Sequence, residues 1–199
     1  MYIRAMVSGI TDMFTAKTAE ECGADFIAFV FDRENKDYVS PDRAAVIAQQ
    51  VPGSRLVGVF KDEDLDTVND VVSKVGLDYV QLNGHEDEEY IWQVACPVIK
   101  RYRYDEGFSV EKARRTVAEM ILLDLGEQDY TRKEIALEIT DTHKSVILAA
   151  NIRRENVKEV NKSTLPYAVE VSEGLETNGK KDTKKIRMFF RRLGRIMAG

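Results

Sequence analysis

Tyr167-Ala-Val-Glu-Val171, running straight into Ser172-Glu173-Gly174, is the stretch on which the reading of this chain turns. Its first five residues are mostly apolar and include two β-branched valines, the mark of a short buried strand. The strand stops at a serine and a glycine, a polar loop follows through Asn178-Gly179, and a helical run starts from Asp182. Such an ending leaves backbone N–H groups and a small hydroxyl free at the strand's C-terminal end. In a parallel α/β barrel, that end of the late strands is where phosphate is held. The plainer alternative is a strand-to-helix turn that happens to be polar. Deciding between them requires seven more strand-helix units upstream.

Those units can be read in order. Tyr2 to Val7 is a strand with Ser8-Gly-Ile-Thr11 as its exit turn, and Asp12 to Cys22 has an apolar face at helical spacing, stopped by Gly23. Phe26 to Phe31 is continuously apolar, as a strand covered on both faces should be. A charged loop, Asp32 to Tyr38, leads to Ser40-Pro41, which caps and starts a helix to about Gln50. Next come a strand at Arg55 to Phe60 with a helix at Asp64 to Val75, and a strand at Tyr79 to Leu82 with a helix at Glu86 to Ala95. Val98 to Tyr102 is a strand, followed by a helix from about Ser109 to Ala118. Met120 to Asp124 is a strand, after which Arg132 to Thr142 reads as a short helix or as irregular chain. Ser145 to Ala149 is the seventh strand, and Arg154 to Asn161 its helix. The closing helix, Asp182 to Met197, carries Ile186, Phe189, Phe190, Leu193 and Ile196 on one stripe.

Eight strands alternating with helices, about 25 residues per unit, predict a single-domain (β/α)8 TIM barrel over residues 1–199. A doubly wound open sheet is the alternative, but the G-x-G-x-x-G turn after strand one is absent, which counts against a dinucleotide cofactor.

Composition narrows the classes. With 44% hydrophobic and 32% charged residues the 199-residue chain reads as globular rather than disordered. A net charge of −5 gives no general attraction to nucleic acid, and the basic run from Lys180 to Arg195 reads as the solvated face of the closing helix. No apolar run reaches the ~20 residues of a membrane span, and the N-terminus lacks the form of a secretory signal. A cytoplasmic protein without membrane contact is expected, as monomer or homodimer. Cys22 and Cys96 have no ligand-like spacing, so no zinc site or disulfide framework is implied, and both read as small buried apolar residues. His85 and His143 lie among polar neighbours and read as solvated.

In such a barrel the strand C-termini point into one mouth. They supply Ser8, Asp37 from the second loop, Lys61-Asp62, Gln81, Asn83, Arg101 or Arg103, Asp124, Ala150-Asn151, and Glu170 with Ser172-Glu173-Gly174. Asp124 follows Met120-Ile-Leu-Leu123, an apolar setting that should raise its pKa and suit a general acid near neutral pH. The competing reading is a carboxylate that merely caps the following turn.

These strand ends carry a resemblance. Val7-Ser-Gly-Ile-Thr11, Phe29-Val-Phe31, Asp37-Tyr-Val-Ser-Pro41, Val57-Gly-Val-Phe60, Val80-Gln-Leu-Asn-Gly84, Leu122-Leu-Asp124, Ala168-Val-Glu-Val-Ser-Glu-Gly-Leu-Glu176 and Gly179-Lys-Lys-Asp182 resemble, in order and spacing, the signature of phosphoribosylanthranilate isomerases. The resemblance implies an Amadori rearrangement of a small phosphorylated sugar in tryptophan biosynthesis, without metal or cofactor. It makes Asp124 the general acid for the ribose ring oxygen. It puts the substrate phosphate on backbone amides at Ala150-Asn151 and Ser172 to Gly174.

The departures are as specific. Ser8 stands where the family has its general-base cysteine, and an unassisted hydroxyl titrates far above a thiol's ~8.5. Asp37 stands where a basic residue anchors the anthranilate carboxylate, and would repel that group. Gly126-Glu-Gln-Asp-Tyr-Thr131 replaces a glycine-rich loop, and Ala149-Ala-Asn151 replaces a Gly-Gly pair. Glu170 replaces a sugar-contacting aspartate, and Asn83 a histidine. Three functions fit: an isomerase that works poorly or through a substituted base, an enzyme for another phosphorylated sugar, or a non-catalytic barrel binding a phospho-metabolite or a protein.

Overall fold

The computed structural model describes residues 2–105 and 107–195. β1 (Arg4–Ser8), β2 (Phe26–Val30), β3 (Arg55–Phe60), β4 (Tyr79–Leu82), β5 (Val98–Arg103), β6 (Met120–Asp124), β7 (Ser145–Ala149) and β8 (Ala168–Val171) pair in parallel and in chain order. β8 returns to β1, pairing Arg4 with Ala168 and Met6 with Glu170. That pairing closes the barrel and rules out the open sheet, which needs two free edges. Around the strands run α1 (Met13–Glu21), α2 (Pro41–Ala48), α3 (Leu65–Val75), α4 (Glu88–Gln93), α5 (Val110–Arg115), α6 (Lys133–Asp141), α7 (Val157–Thr164) and α8 (Thr183–Arg192).

Alternation along the strands sorts residues into two cores. Met6, Ala28, Val30, Val57, Val59, Tyr79, Ile99, Met120, Leu122, Ile147 and Ala168 belong to one buried cluster, the barrel interior. Their neighbours in sequence, such as Val7, Ile27, Phe29, Ile121, Leu148 and Val169, pack outward with the helices, where Ile186, Phe189 and Phe190 of α8 are fully buried. Continuing each interior row two residues toward the strand's C-terminal end reaches Ser8, Gln81, Arg101, Asp124, Ala149 and Glu170. The period of two therefore aims these side chains into one mouth.

Local chemistry sets the helix starts. Asp12 accepts the N–H groups of Phe14 and Thr15, both at 2.9 Å, and Ser40 accepts that of Arg43 at 3.3 Å with Pro41 as first helical residue. Asp182 does the same for Lys184 and Lys185 at 2.8 and 3.3 Å.

Three expectations shift. The undecided segment after β6 is helical as α6. α7 starts three residues later than expected because the Asn156 side chain accepts the Arg153 N–H at 2.8 Å and holds a turn there. It then runs on to Thr164 and ends at left-handed Leu165 before Pro166. The polar loop after β8 is structured: a 3-10 turn (Glu173–Leu175) leads into a small antiparallel pair, β9 (Glu176–Thr177) and β10 (Lys180–Lys181). Ile196, expected on the α8 stripe, lies outside the described residues. No helix among the described residues is long and apolar enough to cross a membrane.

Candidate active site

Asp124 ends β6 on the interior face, and β5 brings Arg101 beside it. The Arg101 guanidinium donates to Asp124 Oδ2, while Oδ1 accepts the Gly126 N–H at 2.9 Å. Asp124 is thus both turn cap and ion pair, and the expected apolar setting is corrected: its neighbour is a guanidinium. Of the two arginines the sequence left open, Arg101 takes the site, while Arg103 is exposed and turned toward Asp105.

Glu170, on β8, is a carboxyl with a raised pKa. Burial pushes it up, a hydrogen bond with the Ser8 hydroxyl opposes this, and the nearby Asp124 charge pushes it up again. Arg101 and Lys181 pull it down by lesser amounts, and the net direction is upward. Ser8 itself is only 6% exposed. β1 and β8 are neighbours, so an interior residue at the end of one reaches an interior residue at the end of the other.

Beside them sits a compact charge cluster. Lys181 Nζ lies 2.5 Å from Glu176, 3.1 Å from Ser172 Oγ and 3.5 Å from Asp37. Lys36 reaches Glu176 at 2.7 Å and Asp37 at 3.4 Å. Burial alone would push Glu176 up, but hydrogen bonds from Lys181 and Lys36 hold its carboxyl below the usual range. Asp37 is therefore no bare repelling charge, since two ammonium groups face it. Gly9, with φ +76°, lets this group lie against the exit of β1: a Cβ there would press on the Asp37 carboxylate and the Lys181 ammonium.

The loops after β7 and β8 form the neighbouring stretch of the rim. Asn151 adopts a left-handed φ of +45°. Gly174 packs so closely against the Ile152 carbonyl that a Cβ would overlap it, which joins the two loops into one wall. A cavity of about 380 Å³ opens between this wall and the charged side. Asp37, Asp124, Ala150, Asn151, Glu170, Ser172, Glu173 and Gly174 all line it. Ser8, Gln81 and Asn83 lie outside its wall. Gln81 is buried and donates to Asn83 at 3.0 Å, with its own Oε1 unpartnered. Lys61 and Asp62 also lie outside, where Asp62 faces the exposed His85 ring at 3.2 Å.

Sequence reasoning did not single out Lys36, Glu176 or Lys181. The signal for Lys181 was its place directly before the helix-capping Asp182, at the end of the loop that leaves β8. Lys36 adjoins Asp37 and is the one cation among the described residues lining the cavity, against the carboxylates of Asp37, Asp124, Glu127, Glu170 and Glu173. Among the described residues, no group of three or more His, Cys, Asp or Glu is placed to hold a metal ion.

The family model for N-(5'-phosphoribosyl)anthranilate isomerase matches residues 5–192. The chain belongs to this isomerase family. A Bacillus cereus N-(5'-phosphoribosyl)anthranilate isomerase is 35% identical over 192 residues, covering 92% of this chain and 95% of the relative. The dimeric phosphoribosylanthranilate isomerase of Thermotoga maritima, solved as monomers, superposes with a TM-score of 0.87 at 33% identity, covering 96% of this chain and 98% of that one. A phosphoribosylanthranilate isomerase solved with reduced 1-(o-carboxyphenylamino)-1-deoxyribulose 5-phosphate gives 0.87 at 34% identity and the same coverage.

Neither of the chain's two cysteines stands in for a thiol at position 8. Cys22 closes α1 and is buried. Cys96 precedes β5, and burial with the nearby Asp78 pushes its thiol up to about 11. Neither lines the cavity.

Proposed function

We propose that this chain catalyses the Amadori rearrangement of phosphoribosylanthranilate, a step of tryptophan biosynthesis, without metal or cofactor and at a reduced rate. Asp124 gives its proton to the furanose ring oxygen as the ring opens to an iminium ion. Loss of the C2′ proton then yields an enolamine, which tautomerises to the ketone. The phosphate rests on the loops at Ala150-Asn151 and Ser172-Glu173-Gly174. Asp37, Gln81, Asn83 and Glu170 complete the surroundings of the sugar and its ring.

The observation that carries this reading is the single cavity joining Asp124 to the β7 and β8 loops, in a chain of this family. Two features support a reduced rate. Ser8 offers no ready base, and the lining carries more carboxylates than cations, which opposes a substrate bearing phosphate and carboxylate. The test is turnover of phosphoribosylanthranilate by the purified protein, with growth of a tryptophan auxotroph lacking this step as a parallel. Slow turnover that rises on Ser8→Cys is expected. Absence of turnover in both proteins would remove this function and leave the enzyme for another phosphorylated sugar as the next reading.

A further inference from the structure

We infer that Glu170 is the general base of this barrel, taking the substrate proton that the family assigns to a thiol, with Ser8 as its positioning residue. The inference rests on the rearrangement proposed above. Three observations carry it. Glu170 and Ser8 end neighbouring strands on the interior face, with Met6 paired to Glu170, so the two side chains share one sector of the mouth. The Ser8 hydroxyl hydrogen-bonds the Glu170 carboxyl. Glu170 lines the cavity together with Asp124, whereas Ser8 is buried and lies off its wall. Of these two groups the carboxyl is the one on the wall, and a carboxyl ionises far more readily than a serine hydroxyl.

The chemistry closes without a further reagent. Asp124, which must enter the cycle protonated, gives its proton to the ring oxygen as the C1′–O bond breaks, and the nitrogen lone pair makes the iminium. Glu170 takes the proton from C2′, and the C–H electron pair becomes the C1′–C2′ double bond as the iminium pair returns to nitrogen. The protonated Glu170 then delivers a proton to C1′, while the enol O–H proton passes to Asp124. Both carboxyls end as they began. A carboxyl raised by burial is the stronger base once ionised, which suits this step better than an ordinary glutamate. The groups facing it are Ser8, Asp124, Arg101 and Lys181, so its protonation is set by this cluster as a whole.

The test uses four proteins: wild type, Glu170→Gln, Ser8→Cys and the double variant. Each is checked for folding by circular dichroism and for binding the reduced product analogue by calorimetry. Glu170→Gln should lower kcat by about 100-fold or more, with analogue binding unchanged. Glu170→Asp, which keeps a shorter carboxylate, should recover part of the rate. In the double variant the new thiol takes over, so its rate should stay near that of Ser8→Cys, and the acid limb that Glu170 gives the wild-type pH profile should be gone. Wild-type rate in Glu170→Gln overturns the inference. So does a double variant as slow as Glu170→Gln, which would make Glu170 a binding or positioning group only. A wild type without turnover beside an active Ser8→Cys also rejects Glu170 as base while leaving the rearrangement standing. Inactivity of all proteins instead removes the rearrangement itself.

Discussion

Two sets of opposite charges face each other across the barrel mouth. On the β8–β1 side, the side chains of Lys181, Glu176 and Asp37 are 2%, 8% and 13% exposed. On the β5–β6 side, those of Arg101 and Asp124 are 35% and 22% exposed. The chemistry is alike, an ammonium or guanidinium against carboxylates, but burial divides the roles. A buried pair gives its members no other partner, so losing one leaves an uncompensated charge out of water. A half-open pair can trade its partner for solvent or for a ligand at little cost. The difference teaches that the first set latches the β2 and β8 loops to the exit of β1, while the second is available for chemistry.

The largest expected effect comes from breaking the latch. Lys181→Met leaves Glu176 and Asp37 facing each other with only the half-exposed Lys36 between them. It should lower unfolding stability by about 3–5 kcal/mol, measured by urea denaturation. A loss below about 1 kcal/mol would erase the contrast between the two sides. Arg101→Met, on the open side, should cost no more than about 1 kcal/mol of stability. It should nevertheless cut kcat by about 100-fold, because Asp124 loses the group that orients it. Equal stability losses in the two variants would mean that burial does not sort these pairs.

How much of this was legible beforehand follows from which interactions are local. Strand and helix existence rests on apolar periodicity and capping residues, so all eight strands and seven of the eight helices could be read, with the segment after β6 left open. The edges that moved, as at Asn156, depended on one side chain choosing a backbone partner. At the site, Asp124 was legible as a strand-ending carboxylate. Its surroundings were not, because Arg101 arrives from β5 through strand pairing, which a single chain segment does not reveal. The Ser8–Glu170 contact is hidden in the same way, since its two residues lie at opposite ends of the chain and meet only when β8 closes on β1. Lys181 was passed over because a lysine inside a basic run reads as solvated, and only the small β9–β10 hairpin turns it inward.

The two glutamates of the β8 side offer a smaller and sharper test, because their linkage to pH has opposite sign. Glu176 has a lowered pKa, so its contribution to stability is present above the unfolded value near 4.3 and is lost as pH falls through the folded value. Glu170 has a raised pKa, so its favourable part is present below about 4.3 and is lost as pH rises through the folded value. Glu176→Gln should therefore lower Tm at pH 7, with the deficit shrinking as the solution is acidified. Glu170→Gln should raise Tm at pH 7 by roughly 2–4 °C, with the gain vanishing toward pH 4. Thermal melts across this range read both, and shifts of the same sign would contradict the assigned environments.

The smallest effect should come from Lys36, the member of the latch that touches both worlds. Its ammonium bridges Glu176 and Asp37, yet its side chain is 49% exposed and it lines the cavity. An exposed lysine contributes little net stability, because its attraction to the carboxylates is screened and holding its long chain costs entropy. Lys36→Met should change unfolding stability by no more than about 0.5 kcal/mol. As the one cation on the cavity wall among the described residues, it should matter for a carboxylated substrate instead: KM should rise several-fold while kcat holds. If Lys36→Met destabilised the protein as much as Lys181→Met, the exposed ammonium would be carrying the latch, and exposure could no longer be used to separate the charges that hold this mouth together from those that meet what enters it.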